Sequence, residues 1–438
     1  MSFVKSVFIT LTSKIFLLFM GTIINIIIAR TLGPTGKGIY VLVILVTSML
    51  FTFGNLGITS SVIYFTGKKS YELKQIVSNV LSIGLIMGTV LSLLVILVVN
   101  NFYIPFLKGI PIVYINLASL SLPFLFVGSY FSSILLGTQK IWLFNLRQVI
   151  EKISFLVMFL SFLLISNKII LNALTAYIIS VIISCILAIV FVSKMTKIRL
   201  SIQRAFISAV TKYGLKVYFG NLMLFSEKKI DVFIINFFLN TTMVGYYSLA
   251  TGLAEFLMFV PQAASLMLFP KISLSSKIEA KDYTPKVFRH VLLITIISCI
   301  AMGLCSSVII KVVYGKAFMP SLPVVWVFLP GMIFFAGSRI LLSDLMGRGK
   351  PKYSSIASFI SAVSSLGFNF LLIPIYGMFG AAIASVLSYF LMMTVLLVFY
   401  LRISGNNLID MFKFNREDLL LYVGLVKRII SKRKNAKD

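Results

Sequence analysis

The stretch SEKKID at 226–231 sets Glu227, Lys228, Lys229 and Asp231 between two apolar runs, VYFGNLMLF before it and VFIINFFLN after it. On a helix turning about 100° per residue, Glu227, Lys228 and Asp231 share one arc with Gly220 and Asn221, while Lys229 falls about 80° off it. Two kinds of chemistry are open to this set. Lys228 can pair statically with Asp231, three residues on, or the arc can line a polar path for an ion or an anionic solute. Neither flank crosses a bilayer alone, because a spanning helix needs about 20 residues, but joined through the cluster they do. Charge at mid-membrane costs at least about 2.5 kcal/mol per residue unless it meets water or a partner. The arc is therefore expected to face a cavity.

Other blocks repeat the pattern. Glu255 shares a helical face with Ser248, Thr251 and Gln262, and no basic residue lies within a turn of it. Ser48, Thr52, Asn55 and Thr59 form a second stripe, and Thr10, Lys14, Gly21 and Asn25 a third. Arg339 is a further cation inside an apolar block. Lys14, Lys228, Lys229 and Arg339 are the candidate cavity cations. Glu227, Asp231 and Glu255 are the candidate carboxylates for the cavity or a coupling ion, and Asn25, Asn55, Asn221 and Gln262 the candidate polar lining. The hydroxyl and amide stripes have a second reading, since small and polar residues also hold membrane helices together.

The elements that must position these residues are membrane helices. Of 438 residues 59% are hydrophobic and 12% charged, and the apolar residues come in long blocks. Blocks of about 20 residues predict spans near 7–29, 39–65, 78–100, 112–136, 148–166, 171–193, 217–239, 245–268, 288–311, 322–345, 354–375 and 379–401. The first is too long for a signal-peptide core and lacks a small-residue cleavage site, so it reads as a retained span. Cys185, Cys299 and Cys305 fall inside apolar blocks and His290 stands alone, leaving neither a disulfide framework nor a histidine metal site.

A net charge of +28 raises the question of nucleic acid, and its distribution answers it. Of the 40 lysines and arginines, Arg30, Lys37, Lys108, Lys168, Lys311 and Lys316 lie on one face and Lys14, Lys228, Lys229 and Arg339 within spans; all others fall on the opposite face with both termini. The positive-inside rule makes that face cytoplasmic. The charge is topology, and no nucleic-acid partner is implied. Basic cytoplasmic segments imply anionic membrane lipid instead.

The chain contains two copies of one design. GIY at 38–40 returns as GYY at 245–247, an offset of 207, and Leu122-Pro123 returns at the same offset as Leu329-Pro330. Ser48 and Asn55 map in this way onto Glu255 and Gln262, and Lys14 onto Asn221. Six spans per half give both halves the same orientation. The predicted fold is an all-α polytopic membrane protein, about 12 transmembrane helices in two pseudo-symmetric six-helix bundles around a central cavity. The bundles cover 1–193 and 217–401. A basic cytoplasmic linker at 194–216 reads as an amphipathic helix on the membrane surface, and a basic cytoplasmic tail at 402–438 as a further surface helix. Prolines 123, 261, 330 and 374 interrupt spans and should bend them.

Catalytic chemistry is absent from the pattern. GPTGKG at 33–38 fails the phosphate-loop spacing, and Gly38 stands where the hydroxyl residue belongs. No DxD pair, Ser-His-Asp set or large outer loop exists. The chain does not read as an enzyme.

ARTLGPTGKGIY at 29–40, IDVFIINFFLNTTMVGYYSLATGLAEFLMFVPQAASLMLFPKIS at 230–273 and FNFLLIPIYGMFGAAIASVLSYF at 368–390 resemble the Wzx-type polysaccharide flippases. These belong to the superfamily that also holds the MATE exporters and the lipid II flippase MurJ. The resemblance covers all but the tail. It implies a substrate of oligosaccharide joined through diphosphate to a polyprenol, carried from the inner to the outer leaflet of a bacterial cytoplasmic membrane. It also implies that Asp231 matches an acidic position of the seventh span that follows a basic one. Lys14, Lys228, Lys229 and Arg339 would match the diphosphate charge. No cofactor is implied beyond a coupling H⁺ or Na⁺, and other polysaccharide-assembly membrane proteins are candidate partners. The main alternative is a MATE-like exporter of small amphipathic cations, in which carboxylates would dominate the cavity. A second is a non-transporting scaffold for polysaccharide assembly.

Overall fold

The computed structural model describes residues 3–413, without the side chains of residues 3–11 and of Asn221, Leu224, Glu227, Lys228 and Lys277. The tail helix expected beyond 413 lies outside the described residues. Within them the chain is helical and has no strand. A membrane demands this, because hydrocarbon offers no partner to a backbone N–H or C=O and a helix satisfies nearly all of them internally.

The long helices in chain order are α1 (Phe3–Gly54), α2 (Ile58–Lys68), α3 (Leu73–Asn101), α4 (Ile112–Ser119), α5 (Leu122–Gly137), α6 (Ile141–Ile165), α7 (Ile169–Ser193), α8 (Arg204–Phe238), α9 (Thr241–Glu255), α10 (Phe259–Leu274), α11 (Lys277–Ile309), α12 (Leu322–Gly347), α13 (Pro351–Tyr376) and α14 (Met378–Ser404); a short α15 (Leu408–Phe412) follows. Ten stretches of described helix are long and apolar enough to span a membrane. The first of them, Thr12–Gly54, breaks at Gly33 (φ 66°, ψ −176°), a backbone region open essentially to glycine alone, with Pro34 next to supply no N–H. α1 therefore holds the first predicted span and the start of the second, which breaks after Gly54, where Leu56 and Gly57 have positive φ, and resumes in α2. α8 is not among the ten, yet its 35 residues reach about 52 Å at 1.5 Å per residue. It carries the SEKKID cluster.

Sequence breakers account for the remaining interruptions. The eighth span splits at a 3₁₀ turn, Phe256–Met258, because the ring of Pro261 collides with the carbonyl four residues back, at Leu257. Pro123 sits in the first turn of α5, where a missing N–H is no loss. Pro330 and Pro374 lie inside helices that continue past them.

The chain divides into two compact units, each made of discontinuous segments. The first comprises Met1–Leu249, Val308–Leu322 and Asn369–Ala381. Its core gathers Val62, Val77, Phe126, Phe131 and Leu135 with Phe206 and Val210. Those last two belong to the predicted linker, whose residues from Arg204 on form the first part of α8. Phe206, Val210 and Gly214 are buried there, while Arg204, Ser208, Lys212 and Lys216 are exposed at four-residue intervals. The linker helix is amphipathic as predicted, but its apolar face packs on the protein, with Ser61 Oγ donating to the Val210 carbonyl at 2.7 Å. The second unit comprises Ala250–Ser307, Pro323–Phe368 and the chain from Ala382 onward. There Cys299 Sγ meets the Leu329 carbonyl at 3.5 Å, and Ser343 Oγ donates to the Ser265 carbonyl at 2.6 Å.

Candidate functional site

Just beyond the Gly33 break, α1 crosses the start of α9 with backbone against backbone. A methyl placed on Gly38 would lie 1.7 Å from the Thr241 carbonyl oxygen, and one on Gly245 would lie 1.9 Å from the Pro34 carbonyl oxygen. The Thr35 and Thr242 hydroxyls hydrogen-bond across the crossing at 2.8 Å. The residues involved are mates at the 207-residue offset, 34 with 241, 35 with 242 and 38 with 245, so the Gly38–Thr241 contact maps onto Gly245–Pro34 and Thr35–Thr242 onto itself. A contact in which residue i meets j and the mate of j meets the mate of i is isologous, the signature of a two-fold axis. The 207-residue offset read from the sequence is therefore a physical contact at this crossing, with local two-fold character.

A strap braces the same region of the first unit. Ile310–Tyr314 is a turn of π-helix and Lys316–Ser321 a 3₁₀ turn. Arg30 Nε donates to the Val313 carbonyl at 2.7 Å and its Nη2 to the Val312 carbonyl, filling acceptors that a helix end leaves open. Lys37 is 2% exposed. Its Nζ donates to Asn25 Oδ1 at 2.8 Å and stands 5.6 Å from the ring centre of Tyr314 and 5.5 Å from that of Phe318. Among the described residues no carboxylate pairs with it. Burying an ammonium costs several kcal/mol, whereas a desolvated cation–π contact returns about 2 kcal/mol. Sequence reading took Lys37 for a loop residue. The helix runs through it, and the strap that covers it arrives from more than 270 residues away.

Around SEKKID, the side chains of Asn221, Glu227 and Lys228 lie outside those described. Lys229 is half-buried and Asp231 is buried. Tyr247, with no exposed surface, donates its hydroxyl to Asp231 Oδ2 at 2.5 Å. Asp231 Oδ1 accepts from the Val232 N–H at 2.8 Å. One turn on, Asn236 Nδ2 donates to the Phe106 and Lys108 carbonyls at 2.9 and 3.0 Å. This face of α8 is thus tied to α9 and to the turn after α3.

The other predicted residues have mixed settings. Lys14 is exposed on α1, and Asn25 is the acceptor for Lys37. Asn55 is buried between α1 and α2, where its side chain bonds Thr59 Oγ1 and the Thr59 N–H at 3.0 and 3.3 Å. That holds a helix start. In the second unit Glu255 and Gln262 are exposed on either side of the Phe256–Met258 turn, and Arg339 is half-buried on α12, its carbonyl accepting from Ser265 Oγ at 3.3 Å.

Two charged clusters lie outside the predicted site residues. In the first unit Ser184 Oγ lies 2.5 Å from Arg147 Nη1 and donates to Glu151 Oε2 at 2.7 Å. In the second, Asp344, with no exposed surface, accepts from Thr284 Oγ1 at 2.6 Å and from Arg348 Nε at 2.7 Å. Arg147 and Glu151, and Asp344 and Arg348, are each four residues apart with opposite sign, a spacing that signals a helix-face pair.

Helical, with ten described stretches able to span a membrane and with repeat-related residues meeting at one crossing, the chain has the fold of a multi-pass membrane protein. Over 98% of the chain and 97% of its counterpart, it superposes on the lipid II flippase MurJ in an inward closed conformation, with a TM-score of 0.75 and 19% identity. The chain belongs to the polysaccharide biosynthesis protein family, which matches residues 3–276. It is 25% identical over 405 residues to an uncharacterized membrane protein of Methanocaldococcus jannaschii, covering 84% of this chain and 78% of that one. It is 24% identical over 376 residues to the "Putative O-antigen transporter" of Shigella flexneri, covering 82% and 88%. The family and these likenesses support the Wzx-type resemblance read from the sequence.

Proposed function

We propose that this protein is a flippase that moves a polyprenyl-diphosphate-linked oligosaccharide from the inner to the outer leaflet of the cytoplasmic membrane, for O-antigen, capsule or exopolysaccharide synthesis. The observation that carries this is the isologous crossing of the two repeats at Gly38 and Gly245 in a chain of the polysaccharide biosynthesis family. Two repeats that meet at one end on a shared axis can rock about it, which is the geometry alternating access requires. The basic-residue count puts both termini in the cytoplasm and the crossing on the outer side. The crossing is then an outer gate in its closed state. The bundles 1–193 and 217–401 are the rocking bodies.

A diphosphate headgroup is too polar and too charged for hydrocarbon, so it needs a cationic path. Lys14, Lys228, Lys229 and Arg339 supply it, with Asn25, Asn55, Asn221 and Gln262 as polar lining. The protein acts as a transporter and not as an enzyme, so a H⁺ or Na⁺ gradient or the membrane potential gives direction, with Asp231 and Glu255 the coupling carboxylates and Glu227 beside them. The exposed row Arg204, Ser208, Lys212 and Lys216 fits anionic lipid headgroups on the cytoplasmic face.

The test is to delete the protein in its own host and follow lipid-linked oligosaccharide by mass spectrometry, with its leaflet probed by an enzyme confined to the outer face. A build-up of one complete unit facing the cytoplasm is the expected result. No build-up, with changed resistance to cationic dyes, moves the reading to a cation exporter.

A further inference from the structure

We infer that Lys37 is the outer-side cation for the substrate's diphosphate, sequestered while the crossing is closed and freed to bind phosphate oxygens when it opens. This rests on the flippase reading above and extends it to a residue and an anionic ligand class at the exit.

The repeat provides the comparison that isolates Lys37. Its mate at the 207 offset is Val244, buried with no exposed surface. An aliphatic side chain therefore fills the equivalent place in the second copy, and packing alone does not call for a cation. The charge is an asymmetric addition to an otherwise two-fold crossing. An ammonium carries three donors, and one is met, by Asn25. Among the described residues the rings of Tyr314 and Phe318 also face it, and they tolerate a cation but present no anion.

The position couples Lys37 to the gate. It lies between Thr35 and Gly38, the residues in contact with Thr242 and Thr241, on a helix that moves as a body over so short a stretch. Phe318 also packs edge-on against Tyr246 of α9 at 6.2 Å. One ring thus touches residues from both sides of the crossing. Parting α1 from α9 pulls Lys37 and Tyr246 in different directions and cannot leave both on Phe318. Lys37 then loses an aromatic neighbour at the moment the outer end admits water and headgroup, and a diphosphate supplies a counter-charge that no described residue provides in the closed state.

The experiment compares Lys37→Met, which keeps the stem and removes the charge, with Lys37→Arg. Gate closure is read separately as disulfide yield between Thr35→Cys and Thr242→Cys in a Cys305→Ser background. The expected result is that Lys37→Met lowers transport of lipid-linked oligosaccharide at least about 10-fold at unchanged disulfide yield, and that Lys37→Arg restores most of it. Wild-type transport by Lys37→Met overturns the inference. A fall in disulfide yield matching the fall in transport also overturns it, since Lys37 is then a latch. If deletion of the protein leaves lipid-linked oligosaccharide unchanged, the flippase reading has failed, and the Lys37 inference is decided by native mass spectrometry with undecaprenyl diphosphate. Binding lost in Lys37→Met supports an anion site at Lys37, and binding retained overturns it.

Discussion

Thr35 and Thr242 share a hydrogen bond of 2.8 Å between residues 207 positions apart, the interval at which GIY returns as GYY and one Leu-Pro pair as the other. Equivalent residues of the two copies touch each other and nothing intervenes. A bond of this kind forms only near a symmetry axis, and it is flanked by backbone contacts at Gly38 and Gly245 too close for any side chain.

Oxidising a Thr35→Cys, Thr242→Cys protein in a Cys305→Ser background should close the crossing covalently. Transport should stop on oxidation and return on reduction. Transport that continues in fully oxidised protein would mean that the crossing need not open.

Gly38→Ala and Gly245→Ala each place a methyl within 2 Å of a carbonyl oxygen, an overpacking worth about 1–3 kcal/mol. The closed crossing should lose roughly 10-fold in population, measured as disulfide yield at 35 and 242, while membrane insertion stays normal. Gly220→Ala, with nothing within 4 Å of the added atom, is the control.

Gly33→Ala should destabilise the protein by about 1–3 kcal/mol, since φ 66° with ψ −176° suits only glycine. The check is the detergent-solubilised melting temperature, with Gly21→Ala, a helical glycine with open space around it, as the reference.

Arg348→Ala leaves the Asp344 carboxylate, which has no exposed surface, without its 2.7 Å partner. Stripping one member from a buried pair costs about 3–5 kcal/mol. Expression and thermal stability should fall sharply, and Asp344→Asn with Arg348→Gln together should recover much of the loss.

Asp231 and Glu255 should separate by phenotype. Tyr247→Phe removes a charge-assisted hydrogen bond to Asp231, worth about 1.5–3 kcal/mol, so stability should drop. Glu255 is exposed, so Glu255→Gln should melt like wild type. If Glu255 is a coupling group, the same variant alters transport or its pH dependence; unchanged transport at every pH removes it from that role.

Reading of the sequence alone went furthest where one dimension suffices. Apolar block length gave the spans, because a bilayer imposes a fixed thickness on every helix that crosses it. The 207 offset was legible from GIY and GYY and from the two Leu-Pro pairs, and the structure turned it into a contact. Pro261 predicted a break that appears one turn earlier, where its ring meets the preceding carbonyl. The amphipathic face of the linker was legible from its basic spacing, but what covers that face was not. Phe206 and Val210 pack into the first unit's core, a choice between lipid and protein that periodicity cannot make.

The site divides in the same way. Asp231 was legible as a buried charge, whereas its partner Tyr247 was one of 18 tyrosines with nothing local to single it out. In the sequence Lys37 reads as a loop lysine because it falls between the apolar blocks 7–29 and 39–65. Only the fold brings residues 310–318 over it, and only there does it become a buried cation. Sequence determined the class, the repeat and the spans, since these depend on composition and spacing along the chain. Tertiary structure decided which charges are buried and what faces them, because burial depends on segments that meet only when the chain has folded.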